Sequence, residues 1–464
     1  MTDRLHLPLF LAFVAVSGAA TSSCKKTESS TGTAGSSSAA TSGVLPAMTG
    51  PTGALPPSVV AESLPRCRAE GARLAIPGDE VVAGDAAVTA DALLVGVVRR
   101  DGTRRIASVV RASLDLATVR VVDVGAALGD DPPPSPRLRG TTAFVAAFAR
   151  PKASVSGDGG AGTTPRALEI SRVEATGLVL EGAVLQQADE SLAYDVAWPE
   201  SEAGPAGPAG PPLVAWDEDA PPRAGALLAD RGVVKVQLLG AAKARVASPE
   251  SSDAEAPRLL ARRGGGYWLA WLARRPEADA PGDTVDGSAE GPGERRAYRW
   301  VELVALDAKG EPTSPVRRVS PEKGRVASFD LAGGDGQLVV VVQDEAAHAE
   351  GAGERIARYA VEGEKIEMAE ILDGGVGHAL AELLPQAGDA AAPRWLAFTD
   401  TQEHAHLVPL GPALRLAGRP TTEPSLDGTR IVASASPDVV YAIGAAGAPH
   451  AGGGRLELRR LVCR

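Results

Sequence analysis

Two groups of side chains have the types and spacing of metal ligands. His404 and His406 alternate along a strand-like run, so both imidazoles point to one face, a geometry that holds Zn²⁺ when a third ligand is near. One acidic segment brings together four carboxylates that could surround Ca²⁺: Asp279, Asp283, Asp286 and Glu290. No third zinc ligand is identifiable, and the carboxylates do not follow the Asp-x-Asp-x-Asp-Gly spacing of a calcium loop. We therefore predict a surface histidine pair and a solvated acidic loop, with no metal and no cofactor.

The linear motifs of catalysis are missing from the sequence. There is no Gly-x-Ser-x-Gly elbow, no phosphate-binding loop, no His-Glu-x-x-His and no dinucleotide fingerprint. The chain of 464 residues carries 47 Lys and Arg against 58 Asp and Glu, a formal net charge of −11. That balance argues against a nucleic-acid partner, which needs a basic face. Hydrophobic residues reach 44%, enough for a sizeable core.

Short apolar runs recur along the chain and predict the strands that would carry any site. Seven are strand-length and rich in Val, Leu, Ala and aromatic residues: Leu93 to Val98, Ala143 to Phe148, Leu213 to Trp216, Tyr267 to Leu272, Leu338 to Val342, Trp395 to Phe398 and Val439 to Ile443. Each is followed by a polar stretch and a second strand-like run. The second run opens with His404 in one unit and with an arginine in the other six: Arg105, Arg166, Arg223, Arg296, Arg355 and Arg455.

Such self-similar hairpins indicate a repeat array, because one small sheet cannot bury both of its faces without neighbours. The pattern predicts an all-β protein in which residues 59–464 form a β-propeller of about seven blades, closed at its termini. Two stretches, Pro424 to Val432 and Gly334 to Val339, resemble the TolB-like propeller repeat, in which an Asp-Gly turn precedes an apolar strand. The alternative is a pair of β-sandwich-like domains. A helix would fit at one place, Ile371 to Leu384.

Five segments rich in Gly, Pro, Ala and acidic residues interrupt the runs: 150–165, 199–212, 276–294, 345–354 and 444–454. Four are predicted to lie between the paired strands of a hairpin, whereas 199–212 is predicted to separate two units. A shared position would put the hairpin turns on one rim, and insertions gathered on one rim often mark a binding face. Their low complexity favours solvated segments instead.

The N-terminus has the pattern of an export signal. Leu5 to Ala20 is an uncharged run preceded by Arg4, too short to span a bilayer comfortably, so residues 1–23 are predicted to be a signal peptide. Cys24 follows directly, and this arrangement resembles the lipobox of bacterial lipoproteins, in which the cysteine is lipidated and becomes the mature N-terminus. Residues 24–58 would then be the lipidated cysteine and a tether rich in Ser, Thr, Gly, Ala and Pro.

Two residues beside Cys24 bear on the resemblance: one departs from the lipobox pattern, and one indicates the membrane to which the protein would be sorted. Thr21 stands where the family prefers Leu, so cleavage by the ordinary signal peptidase, which would give a periplasmic or secreted protein, stays open. Lys25, directly after the cysteine, implies the outer membrane under the family's sorting rule. The resemblance covers the signal and the tether alone.

Lipidation of Cys24, as the resemblance implies, leaves an even pair of cysteines. Cys67 opens the predicted folded region and Cys463 is the penultimate residue, so a disulfide between them would join both ends of the domain in an oxidising compartment. In a ring the first and last strands must meet, and this bond would close it covalently. Loop entropy gives an upper figure of about 5 kcal/mol for its contribution to stability. Two unpaired buried thiols are the alternative.

These predictions converge on a cell-envelope lipoprotein that acts as a non-catalytic propeller-type binding or scaffold module. Its expected partners are the lipid bilayer, through the anchor, and envelope proteins, with no nucleic acid. The competing hypothesis is a propeller hydrolase or lyase acting on an envelope polymer, which inward-pointing carboxylates or histidines with perturbed pKa values would favour. Trp268 and Trp271 are predicted to pack in the core rather than to form a partner surface.

Overall fold

The computed structural model describes a set of residues that all lie between Cys67 and Cys463. These are residues 67–71, 73–76, 79–126, 135–139, 142–149, 167–174, 179–185, 193–198, 210–220, 231–262, 264–274, 299–322, 324–334, 337–344, 355–373, 375–376, 394–400, 405–411, 415, 421–422, 429–436, 438–446 and 455–463. None of them lies in a helix, so this part of the chain has no helix with the length and hydropathy to cross a membrane.

The described strands form seven antiparallel sheets, numbered here in chain order. Sheet 1 contains β3 (Asp79–Val88), β4 (Ala92–Asp101), β5 (Arg104–Ser113) and β6 (Val119–Ala126). Sheet 2 contains β7 (Arg137–Arg139), β8 (Thr142–Ala149), β9 (Ala167–Glu174) and β10 (Val179–Leu185). Sheet 3 contains β11 (Tyr194–Ala197), β12 (Leu213–Asp219), β13 (Gly232–Leu238) and β14 (Arg245–Val246).

Sheets 4 to 6 repeat the same meander of four strands. Sheet 4 contains β15 (Asp253–Ala261), β16 (Tyr267–Arg274), β17 (Trp300–Leu306) and β18 (Arg317–Arg318). Sheet 5 contains β19 (Val326–Gly334), β20 (Gln337–Asp344), β21 (Arg355–Glu362) and β22 (Lys365–Asp373). Sheet 6 contains β23 (Gly375–Val376), β24 (Arg394–Asp400), β25 (Ala405–Leu410) and β26 (Thr421–Thr422).

Sheet 7 is assembled from both ends of the chain. Three consecutive strands come from the C-terminal end: β27 (Thr429–Ser436), β28 (Val439–Ala446) and β29 (Arg455–Cys463). The fourth position beside β29 is filled from the N-terminal end by β1 (Cys67–Ala69), and β2 (Leu74–Ala75) pairs further along the same strand. The register places Cys67 directly opposite Cys463, and the two form a disulfide. The predicted pairing is confirmed.

The seven sheets contact one another in cyclic order. Each sheet contacts the next one along the chain, and sheet 7 contacts sheet 1 through β27 and β3. The first strand of every sheet takes part in these contacts, which puts the first strands innermost. Neighbouring sheets approach closely; for example, a Cβ at Gly96 of sheet 1 would lie 2.4 Å from the carbonyl oxygen of Pro136, ahead of sheet 2. This cyclic arrangement is that of a β-propeller, and not of two separate sandwiches.

Burial between neighbouring sheets explains why the seven apolar runs could be identified in the sequence. All seven residues of β17 are buried, and so are the first seven of β4, because both faces of these strands are covered. Strands covered on both faces read as continuous apolar runs. Each of the seven apolar runs found in the sequence lies in the second strand of one sheet. The first strands and most of the short fourth strands carry no comparable run.

Antiparallel order divides the chain connections between two faces. The described connections from first to second and from third to fourth strands lie on one face, which we call the disulfide face; it includes residues 262, 264–266 and 307–316, and Cys67. The described connections from second to third strands and between sheets lie on the other, the insertion face, which includes Gly102 and residues 247–252. In chain order, segments 150–165, 276–294 and 345–354 fall between second and third strands, as predicted, and so does the part of 444–454 that follows the end of β28 at Ala446.

Three local predictions were wrong. Segment 199–212 lies between β11 and β12 of one sheet and does not separate two units. The third strand of the unit that contains Arg223 is β13, which begins at Gly232 and not at the predicted Arg223; Arg223 itself lies outside the described residues. The start of the segment where a helix would fit, Ile371, belongs to β22, where it pairs with Ala357, and residues 377–384 lie outside the described part. Local apolar content indicated these elements, and sheet pairing decided them differently.

Candidate functional site

Charged side chains recur at one position of the innermost strands. Aspartates stand there in sheets 1, 3 and 5, and arginines in sheets 2 and 4, each followed by an apolar residue: Asp85, Arg137, Asp195, Arg258 and Asp330. The three aspartates are buried, at 1%, 1% and 6% exposure in that order. Buried carboxylates in the middle of a ring are where a propeller enzyme would keep its catalytic groups. Their hydrogen bonds therefore decide between catalysis and structure.

Asp85 and Asp195 use both carboxylate oxygens in the same way. In each, Oδ1 accepts the backbone N–H of the following residue at 2.8 Å. The second oxygen accepts a backbone N–H from the next sheet: Asp85 from Leu138 and Asp195 from Leu259, both at 2.7 Å. Oδ1 of Asp330 accepts the N–H of Leu331 at 2.8 Å, which repeats the first half of the pattern. Each carboxylate of the first two therefore joins the innermost strands of neighbouring sheets.

Arg137 fills the space between two of these aspartates. Its Nε donates to the carbonyl oxygen of Tyr194 at 3.0 Å and its Nη1 to that of Gly84 at 3.4 Å, so one guanidinium bonds to the sheets on both sides of its own. Nε also lies 4.0 Å from Oδ1 of Asp195. The hydroxyl of Tyr194 donates to the carbonyl oxygen of Ser135 at 3.0 Å, and burial raises the pKa of Tyr194 well above its ordinary value.

These hydrogen bonds run between neighbouring sheets. Because Asp195 is 1% exposed and bonded through both oxygens, its lone pairs are directed at peptide groups and not at an open position. Asp85, Arg137 and Asp195 thus bond neighbouring sheets to one another.

Another buried carboxylate, that of Glu302, bonds to the indole groups of two tryptophans inside sheet 4. Glu302 accepts the indole N–H of Trp271 and that of Trp300, each at 3.0 Å. The guanidinium of Arg318 lies 4.9 Å from the centre of the Trp300 ring, within the range of a cation–π contact, and Nη1 of Arg318 pairs with Glu322 at 2.9 Å. Sheet 3 has a related group, in which Glu218 accepts the indole N–H of Trp216 at 3.0 Å and pairs with Lys235.

Trp268 has a different environment from Trp271. Trp271 is fully buried in the core between sheets 3 and 4, which confirms the core prediction for that residue. Trp268 is half-buried, with the guanidiniums of Arg262 and Arg317 at 5.5 and 5.8 Å from its ring centre. Burial lowers the pKa of Arg317, and Nη1 of that side chain donates to the carbonyl oxygen of Gly363 in sheet 5 at 2.6 Å. Trp268 is therefore a contact between sheets near the disulfide face.

The predicted site residues are placed as follows. Cys24, His404 and the acidic residues 279–290 lie outside the described part of the chain. His406 lies on β25, opposite Phe398 on one side and Thr422 on the other. Among the residues that the structure describes, no three His, Cys, Asp or Glu side chains are grouped so as to hold a metal ion. The disulfide of Cys67 and Cys463 is buried against Trp395 and Leu407 of sheet 6.

Sequence reasoning missed the aspartate joints. Their only local signal is an acidic residue directly before an apolar one inside a strand: Asp85-Ala86 and Asp195-Val196. That signal is too common to stand out without the neighbouring sheet. The partners of Asp85 and Asp195 lie 53 and 64 residues further along the chain.

Comparisons with known proteins give no family for this chain. No protein-family model matches it, and no curated protein does. Among solved structures it is similar to the polysaccharide lyase Uly1, with 10% identity and a TM-score of 0.45 over 82% of this chain and 89% of that one. It is also similar to a protein of unknown function from Dyadobacter fermentans, with 12% identity and a TM-score of 0.42 over 86% and 99%. A third likeness is to the β-propeller domain of the Trilobed protease from Pyrococcus furiosus, with 8% identity and a TM-score of 0.41 over 82% and 93%. Likenesses at this level carry no argument about activity, and the fold is established by the chain's own strands.

Proposed function

We propose that this chain is an exported, lipid-anchored protein of the cell envelope whose propeller has seven blades and works as a non-catalytic binding or scaffold module. The observation that carries the non-catalytic role is the use of the innermost carboxylates. Asp85 and Asp195 each accept two backbone N–H groups, one of them from the next sheet. The groups best placed for chemistry in the middle of the ring are thereby committed to holding the ring together.

The proposed blade number follows from one sheet per blade. Seven sheets contact one another in a closed cycle, and β1 completes the last of them. A ring closed by strands from both chain ends buries the edge that an open array would expose. A rigid closed ring suits a module whose task is to present surfaces to other proteins.

The proposed anchor rests on the sequence and on cysteine pairing. Because Cys67 and Cys463 bond to each other, Cys24 is the one cysteine left for lipidation, and a buried disulfide fits an oxidising compartment. The proposed cellular location is the outer membrane, and the proposed partners are the lipid bilayer and envelope proteins. Because four insertions fall between second and third strands in chain order, the insertion face, opposite Cys67, is the side proposed to meet partners.

Intact mass of the protein from its native membrane fraction tests the anchor. A mature chain that begins at Cys24 with added diacylglyceryl and acyl mass supports it, and the Cys24→Ser variant should move to the soluble fraction. A matched Ser23→Ala variant, which keeps the cysteine, should stay in the membrane. A soluble wild-type chain that starts near Ala20 would overturn the anchor.

Two further measurements test the role. A photo-crosslinking side chain at Thr103, on the insertion face, should capture envelope proteins in intact cells more often than the same side chain at Asp91, on the disulfide face; equal capture would contradict the proposed docking face. Incubation of purified protein with isolated envelope polymers should release no fragments. Fragment release that persists in a highly purified sample, and that is absent from a mock preparation, would establish the hydrolase or lyase instead.

A further inference from the structure

The disulfide occupies the place of a turn. In the other six sheets the third and fourth strands follow each other along the chain, and a connection on the disulfide face joins them. In sheet 7 the third strand ends at Cys463 and the fourth begins at Cys67. Because the register sets these two residues opposite each other, the sulfur atoms make the connection that the chain itself makes elsewhere.

The non-covalent hold on β1 is slight. β1 has three register pairs with β29, and the pairing continues through the N–H of Glu70, which donates to the carbonyl oxygen of Arg460 at 2.9 Å. β2 adds two more pairs, and an ion pair joins Glu70 to Arg460. A pull on the chain ahead of Cys67 loads the end of this short antiparallel pairing, so its bonds would break one after another, each weak by itself.

The disulfide sits at the first pair that such a pull would break. Cys67 and Cys463 are 4% and 2% exposed, and their cluster includes Trp395 and Leu407 of sheet 6. β29 is itself paired with β28 along eight register positions. Force that enters at Cys67 can thus pass directly into the middle of sheet 7.

We propose that the Cys67–Cys463 disulfide is a force-transmitting junction: tension on the chain that precedes Cys67 passes through the two sulfur atoms to β29 and does not detach β1 and β2 from the ring. The source of the tension, an N-terminal lipid anchor, rests on the proposed function. The route of the force through the disulfide depends only on the folded domain. Burial of the sulfur atoms also shields the junction from thiol reductants, since exchange needs access to sulfur.

Single-molecule pulling tests this junction. The full chain carrying Cys24→Ser, which removes the lipid and the stray thiol, is held by handles at its N-terminus and at Thr103, in the β4–β5 turn on the insertion face. The oxidised protein should unfold with no earlier extension. The same chain with Cys67→Ser and Cys463→Ser should first lengthen at lower force. The step should be shorter than about 4 nm, the contour length of residues 67–78 ahead of β3 at about 3.5 Å per residue, because the segment already spans part of that length along β29.

A control pair of handles tests whether the early step comes from β1 and β2. Handles at Thr103 and Glu364, neither of which lies on β1 or β2, should give the same first event with and without the disulfide. If the double serine variant does not fold, Cys67→Ala with Cys463→Ala, which puts no hydroxyl group into this buried apolar cluster, replaces it and should give the same early step. An early step in the oxidised protein, or an unchanged first force after loss of the bond, would overturn the junction. Because Cys24 is absent throughout, neither result bears on the anchor.

Discussion

Oδ2 of Asp195 accepts the backbone N–H of Leu259 at 2.7 Å, and this bond joins the first strand of sheet 3 to the first strand of sheet 4. Oδ1 of the same carboxylate accepts the N–H of Val196 at 2.8 Å. One side chain therefore satisfies two peptide groups that belong to different sheets. The same geometry at Asp85 and Leu138 makes it a repeated device of this ring.

Replacement of Asp195 by Ala should weaken the ring. Two buried N–H groups would lose a charged acceptor, which costs about 2 to 4 kcal/mol of the free energy of unfolding. Urea denaturation followed by far-UV circular dichroism measures the change. The control is Asp91→Ala, an exposed carboxylate paired with Arg111, which should leave the midpoint almost unchanged. Equal midpoints for the two variants would contradict the role of Asp195.

The Glu302→Gln variant tests the acceptor shared by Trp271 and Trp300. An amide oxygen can accept one indole N–H, whereas the amide NH₂ faces the other donor, so we expect a loss of about 1 to 3 kcal/mol and a changed near-UV circular dichroism spectrum. Glu311→Gln serves as the control, because its ion pair with Arg245 is half exposed and should be worth less than about 1 kcal/mol. An unchanged near-UV spectrum for Glu302→Gln would argue against the shared bond.

Asp123, on the edge strand β6 of sheet 1, makes the free energy of unfolding depend on pH. Burial acts to raise the pKa of Asp123, but hydrogen bonds from Arg99 and Ser108 outweigh it and hold the pKa below its ordinary value. A carboxyl group whose pKa is lowered by folding adds stability above its unfolded pKa, and that stability is lost as the pH falls through the folded value.

The Asp123→Asn variant should therefore be less stable than the wild type at neutral pH, and the difference should vanish in acid, below the ordinary range for Asp. Because the carboxylate is half exposed, we expect a difference below about 1 kcal/mol. Denaturation midpoints measured from pH 7 down to about pH 2, well below the ordinary pKa of Asp, provide the test. A difference that persists at the acid end would show that the loss is one of packing and not of charge.

Gly266 is needed in the turn between β15 and β16. Its φ is +81°, and a Cβ there would lie 2.1 Å from the carbonyl oxygen of Leu306, so Gly266→Ala forces the backbone to move and should cost more than about 2 kcal/mol. Gly102 also has a positive φ, of 62°, but nothing lies within 4 Å of an added Cβ. Gly102→Ala should cost about 1 kcal/mol, the conformational term alone. Thermal unfolding of both variants should show the larger shift for Gly266→Ala.

Sequence reasoning identified the strands that neighbouring sheets cover on both faces. The run from Tyr267 to Leu272 was recognisable because burial on two sides requires apolar residues in succession, and it proved to be most of β16. First strands such as β7 (Arg137–Arg139) and fourth strands such as β18 (Arg317–Arg318) were missed. They are short and carry charges, so they lack any apolar period, and their identity depends on the strand that they pair with.

The amino-acid sequence by itself determined the all-β class and the hairpin spacing, because apolar periodicity is a local property of the chain. It predicted the pairing of Cys67 with Cys463 from the number and positions of the cysteines. The tertiary structure decided that the innermost aspartates serve as joints, since the N–H of Leu259 reaches Asp195 only after two sheets have packed together. It also decided that the disulfide stands in the place of a turn. Both facts are juxtapositions of residues far apart in the chain, and such contacts are created by packing rather than by local preference.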